Sequence, residues 1–181
     1  MGEEQQYIKM GLGKNRAEAL TDGIFAFAMT LLVLGIEVPE PSKEYMSADA
    51  VNAILQNIYP DFTHYIVAFI MLAGFWLLHH RCYDRLKVID LKMLWMNIIT
   101  LIFVALIPFS TDLADDYVEV PLAGMVFSAN MFVVGVMLYL QWKYASRAGS
   151  AIAEELPSEH INAISKRMAI IPCIALIGIA L

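Results

Sequence analysis

Five apolar runs, each roughly 17 to 23 residues long, divide this 181-residue chain, with short polar stretches between them. As helices rising about 1.5 Å per residue, each is long enough to cross a bilayer core of about 30 Å. Hydrocarbon offers no water to an unpaired backbone N–H or C=O, so each run is expected to be α-helical. The runs cover 16–38, 62–80, 93–109, 121–142 and 165–181. The chain therefore reads as one all-α domain over 1–181, a polytopic transmembrane helical bundle. Composition agrees: 59% of the residues are hydrophobic, against about half in a soluble domain. Pro39 and Pro41 are expected to stop the first span, and Pro121 fits the first turn of the fourth. Between the first two spans, Ser47 is a plausible N-cap for a short amphipathic helix over 48–58, with Val51, Ile54, Leu55 and Ile58 at helical spacing. The N-terminus is polar and no small-residue cleavage site follows a short apolar run, so the first span is expected to be retained. The last run, IPCIALIGIAL, ends without a polar or aromatic anchor, and a sixth span is expected beyond Leu181.

The basic residues fix a topology. Of 12 Lys and Arg, 11 fall before or at the start of span one, between spans two and three, or between span four and the start of span five; Lys43 alone lies on the other side. The positive-inside rule then places the N-terminus in the cytoplasm. The opposite side carries nine acids, among them Asp61, Asp112, Asp115 and Asp116, against that one base. Such a face either concentrates cations through its field or is an ordinary solvated surface.

Enzymatic signatures are missing from the sequence. It contains no G-x-S-x-G, no phosphate-binding P-loop, no H-E-x-x-H and no G-x-G-x-x-G. A net charge of −6 argues against a simple basic surface for nucleic acid. Cys82 and Cys173 are far apart and suggest neither a disulfide framework nor a zinc site. His79, His80, Cys82 and Asp84 form the densest group of possible metal ligands, but adjacent histidines on a helix point about 100° apart. No cofactor and no resident metal are expected.

Span one mixes lipid-like and polar residues. With Phe27 at zero and about 100° per residue, Arg16, Gly23, Thr30, Leu31 and Leu34 all fall within about 60° of it. Asp22 falls about 140° away, so it is expected to face its own bundle and to bond a polar residue such as Asn97 or His79. The Phe27 stripe has three readings at this point: lipid surface, helix packing surface, or pore wall.

The stretch Arg16–Leu34, R-x-x-x-L-T-D-G-I-F-A-F-A-M-T-L-L-V-L, resembles the R-x-x-x-F-S-D signature of the endolysosomal potassium channel family. GFWLLHHR at Gly74–Arg81 and LWMNIITLIFVALIPFSTDL at Leu94–Leu113 are similar to the family in order and spacing. Leu20 and Thr21 stand where the family has Phe and Ser; Thr21 keeps the hydroxyl. The resemblance implies a one-repeat prokaryotic member that assembles as a homotetramer around a central pore. It implies that the first helix lines that pore, that Arg16 and Asp22 anchor it in a polar network with Thr21, His79 and Asn97, and that Phe27 is the narrow point. Thr30, Leu31, Leu34 and Gly23 would line the same path, with Phe27 and Leu34 as hydrophobic constrictions that gate by dewetting.

The expected function is a potassium-preferring cation channel, with potassium and related monovalent cations as permeant species and the lipid bilayer as solvent. The alternative is a secondary ion transporter, which would call for inverted repeats, broken helices or ionisable residues at the midplane.

Overall fold

The computed structural model describes residues 13–38, 47–147, 161–166, 168–169 and 172. Helix α1 spans Lys14–Leu31 and tightens into a 3-10 turn at Leu32–Gly35. Ile36 then adopts extended backbone and the helix stops. Helix α2, Ala48–Asn57, starts where the Ser47 hydroxyl accepts from the Ala50 amide at 3.1 Å. None of its residues is buried. Ile58 links it to α3, Tyr59–Tyr83, whose second residue is Pro60. A proline is tolerated there because first-turn amides have no helical partner.

Helix α4 covers Leu91–Ala105, capped by Asp90, whose carboxylate accepts from the Met93 amide at 2.7 Å. The chain breaks at Leu106 and resumes as α5, Ile107–Asp116. Pro108 explains the break, since it has no amide to donate into the preceding turn. Helix α6 runs from Pro121 to Arg147. Four segments among the described residues are long and apolar enough to span a membrane: Lys14–Gly35, Tyr59–Tyr83, Leu91–Asp116 and Pro121–Arg147.

Two boundaries differ from the sequence expectation for a physical reason. The third span was expected to end at Phe109, before the polar run Ser110-Thr111-Asp112, yet the helix continues to Asp116. Ser110 and Thr111 donate their hydroxyls to the Ile107 carbonyl, at 3.1 and 2.9 Å, so these polar side chains are satisfied within the helix itself. The fourth span was expected to end at Trp142 and instead extends to Arg147, because Gln141, Trp142 and Ala145 still face the core. The fifth expected span, 165–181, lies mostly outside the described residues.

The helices pack α6 against α4 and α5, and α1 against α4 and α3. Two buried cores lie end to end. One gathers Phe25, Leu72, Phe75, Leu101, Val104 and Met131; the other, at the end rich in Lys and Arg, gathers Tyr83, Met93, Trp142 and Met168. Gly135 of α6 permits the last described segment to approach closely. A Cβ there would sit 2.9 Å from Cδ of Pro172.

Three side-chain ties link the helices at depth. Gln141 of α6 donates to Thr100 of α4 at 2.6 Å, and Asn130 of α6 donates to Ser110 of α5 at 3.1 Å. The third, between α1, α3 and α4, sets the geometry of the candidate site.

Candidate functional site

Helix α1 has two unlike faces. Its buried residues are Ala17, Thr21, Phe25 and Ala28, continued by Leu32, recurring every three or four positions. They pack on α3 and α4. Thr21 is the polar member of this stripe. Its hydroxyl donates to the Ala17 carbonyl at 2.8 Å, so its proton is committed and its oxygen accepts from Nδ2 of Asn97 at 2.9 Å. That contact turns the Asn97 carbonyl oxygen toward Nε2 of His79, 3.0 Å away. An amide oxygen only accepts, so Nε2 of His79 carries the proton. Thr21, Asn97 and His79 are all buried. They form a polar clamp that fixes both the depth and the rotation of α1. His79 also stacks on Tyr83, with ring centroids 3.9 Å apart.

Asp22 does not join this clamp. It accepts from the indole Nε1 of Trp76 on α3, at 2.8 Å, rather than from Asn97 or His79. The reason is angular. Thr21, one residue earlier, occupies the buried stripe, so Asp22 lies about 100° further round and reaches only the edge of α3. Trp76 stacks in turn on His80, whose other contact is Asp84 at 3.4 Å. Trp76 went unnoticed in the sequence. The signal the sequence offers is an indole inside an apolar span, whose N–H needs an acceptor. The Arg16 side chain is exposed and makes no ion pair among the described residues.

Among the described residues, the opposite face of α1 is left largely uncovered by the rest of the subunit. Phe27 is 64% exposed and Leu34 72% exposed, and Gly23 and Thr30 are exposed beside them. A Cβ on Gly23 would meet no atom within 4 Å. Leu31 is only half-exposed and turns toward a cavity at the acidic end. The Thr30 hydroxyl donates to the Phe27 carbonyl at 2.8 Å. With its proton used inside the helix, its oxygen lone pairs are left to the open side.

The acidic end closes around a cavity of about 180 Å³ beside Leu34 and Gly35. Asp61, Asp112 and Asp115 line it, and Asp115 is hydrogen-bonded to Nδ1 of His64. Asp112 packs so near Gly35 that a Cβ there would lie 2.8 Å from its Oδ1.

The stretch that carries the clamp and the free stripe is also the part of the chain with a family match. Residues 16–108, 93 of the 181, match the family described as endosomal/lysosomal potassium channel TMEM175. The chain belongs to the TMEM175 family. A potassium channel of Chamaesiphon minutus is 29% identical over 92% of this chain and 82% of its own. A potassium channel of a Chryseobacterium species is 32% identical over 67% of this chain, which spans 62% of that relative. The crystal structure of a lysosomal potassium-selective channel TMEM175 homolog from Chamaesiphon minutus superposes with a TM-score of 0.78 at 25% identity. It covers 92% of this chain and 85% of that one. The family identity and the all-helical membrane fold expected from sequence are therefore established.

Proposed function

We propose that this TMEM175-family chain is a potassium-preferring cation channel, a homotetramer whose central pore is lined by the free face of α1. The observation that carries this reading is the division of α1. One face is held by Thr21, Asn97 and His79, while Gly23, Phe27, Thr30 and Leu34 face away from the subunit. A subunit of this size uses its helices to pack one another, so a path for ions is more readily formed between copies, by cyclic symmetry. Phe27 and Leu34 would each close a ring of apolar side chains that gates by dewetting. Between them, four Thr30 oxygens would face a partly dehydrated cation. The acids at the far end would raise cation concentration at the mouth. Asp22 would anchor the base of α1 through Trp76. The basic loops favour an N-terminus in the cytoplasm of a prokaryotic plasma membrane.

The test is reconstitution of the protein into vesicles, with reversal potentials measured in potassium against sodium and across a pH step. The expected result is a potential that follows potassium, together with altered conductance in Phe27→Ala and altered selectivity in Thr30→Ala. A potential that follows pH alone, or flux that saturates with a coupled substrate as in a transporter, contradicts the proposal.

A further inference from the structure

A second cavity, of about 400 Å³, opens at the basic end of the bundle, far along α3 from the acidic cavity. Its rim is built from Arg81, in the last turn of α3, and Arg85, in the turn that follows. Its apolar wall is Leu78 from α3 with Ile164 and Met168 from the helical segment near the chain's end.

The charges around it are not equivalent. Lys92 lies over the Tyr144 ring at 4.6 Å, and Lys143 lies over the Tyr139 ring at 5.5 Å. These ammonium groups are engaged by aromatic faces. Among the described residues, Arg81 and Arg85 have no ion pair and no ring contact. The rim also holds Asp84, but its carboxylate is turned to His80 at 3.4 Å. Two uncommitted guanidinium groups therefore stand above an apolar wall, at the end of a membrane-spanning helix.

We propose that this cavity binds one anionic phospholipid per subunit, with its phosphate between Arg81 and Arg85 and the start of an acyl chain along Leu78, Ile164 and Met168. Guanidinium groups present planar paired donors suited to phosphate oxygens, and they are less tightly hydrated than lysine ammonium. Basic pockets between helices at the membrane surface favour such headgroups, at about 1 kcal/mol per nearby Lys or Arg. A zwitterionic lipid would satisfy the apolar wall but bring its own cation to the rim. A free phosphate would satisfy the rim but leave the wall bare.

The experiment is native mass spectrometry of the delipidated full-length protein at physiological salt, titrated separately with phosphatidylglycerol, phosphatidylcholine and inorganic phosphate. The expected result is one phosphatidylglycerol per subunit, bound roughly tenfold or more tightly than phosphatidylcholine. That preference is expected to vanish in Arg81→Gln/Arg85→Gln and to fall in the single variant Arg81→Gln, whose side chain is exposed. Ile164→Trp, which fills the apolar wall with the charges kept, is expected to weaken both lipids. Equal retention of the two lipids by the wild-type protein overturns the proposal. So does a double variant that keeps the preference, or displacement of phosphatidylglycerol by millimolar phosphate. Lipid is counted here by mass, so the outcome is independent of whether the protein conducts ions.

Discussion

The exposed faces of α1 and α3 differ in kind. On α3 the exposed residues at mid-helix are Ile66, Val67, Phe69 and Ile70, all bulky and apolar. On α1 and its 3-10 turn they are Ala19, Gly23, Ala26 and Thr30, interrupted by Leu20, Phe27, Val33 and Leu34, with Arg16 and Asp22 toward the base. Acyl chains reward a continuous bulky surface and offer nothing to a hydroxyl or a charge. Small residues and hydroxyls are the signature of close approach by another helix or of contact with water. Exposure alone does not separate the two faces, since Ile70 at 63% and Phe27 at 64% are equally free of the subunit. Composition does, and the proposed pore-facing role of α1 rests on that difference.

The largest effect is expected at two glycines. Gly23 on α1 and Gly124 on α6 both have empty space where a Cβ would go. Within one subunit, a Cβ at either position meets no atom within 4 Å. If α1 meets its copies, Gly23→Leu should bring potassium flux down to the level of empty vesicles, while Gly124→Leu conducts like the wild type. Equal flux from the two variants would erase the distinction between the faces.

The packed side of α1 comes next. Asn97→Leu leaves the Thr21 oxygen without its donor and the His79 N–H without its acceptor, at a cost of about 1–2 kcal/mol. Thermal unfolding in detergent should show Tm lowered by roughly 2–8 °C. An unchanged Tm would mean that the clamp does not hold α1. A smaller effect is expected from Thr30→Ala, which removes one oxygen per subunit from the free stripe. The potassium-to-sodium permeability ratio should fall roughly fivefold, equivalent to about 1 kcal/mol for one lost polar contact, with Tm unchanged. The smallest effect is expected from Ile70→Ala on the bulky face of α3, which should leave both selectivity and conductance at wild-type values.

The helical membrane class was legible because chain length and hydrocarbon thickness leave few alternatives, and the charge alternation between loops is a global pattern. Finer features depended on contacts that a linear reading does not contain. A helical wheel gives relative angles but no origin; the origin comes from Thr21 meeting Asn97 across 76 positions of sequence. Asp22 reads as bonding a polar group on a neighbouring helix, but that group is Trp76 rather than Asn97 or His79, because its place beside the buried stripe lets it reach only the edge of α3. The polar run at Ser110–Asp112 reads as a stop signal. It is part of a helix because two hydroxyls are satisfied by the Ile107 carbonyl one turn back. The ties from Gln141 and Asn130 were overlooked, although a lone amide inside an apolar run is itself a signal that a partner exists.

The central claim is that the Phe27 side of α1 faces the ion path. It is tested most directly by recording potassium current from Phe27→Cys, with Cys82 and Cys173 replaced by alanine, during exposure to a cationic methanethiosulfonate reagent. Covalent modification should abolish the current, while the same reagent on Ile70→Cys in that background leaves it intact. A full current from modified Phe27→Cys, with block appearing only at Ile70→Cys, would place the path elsewhere and contradict the account.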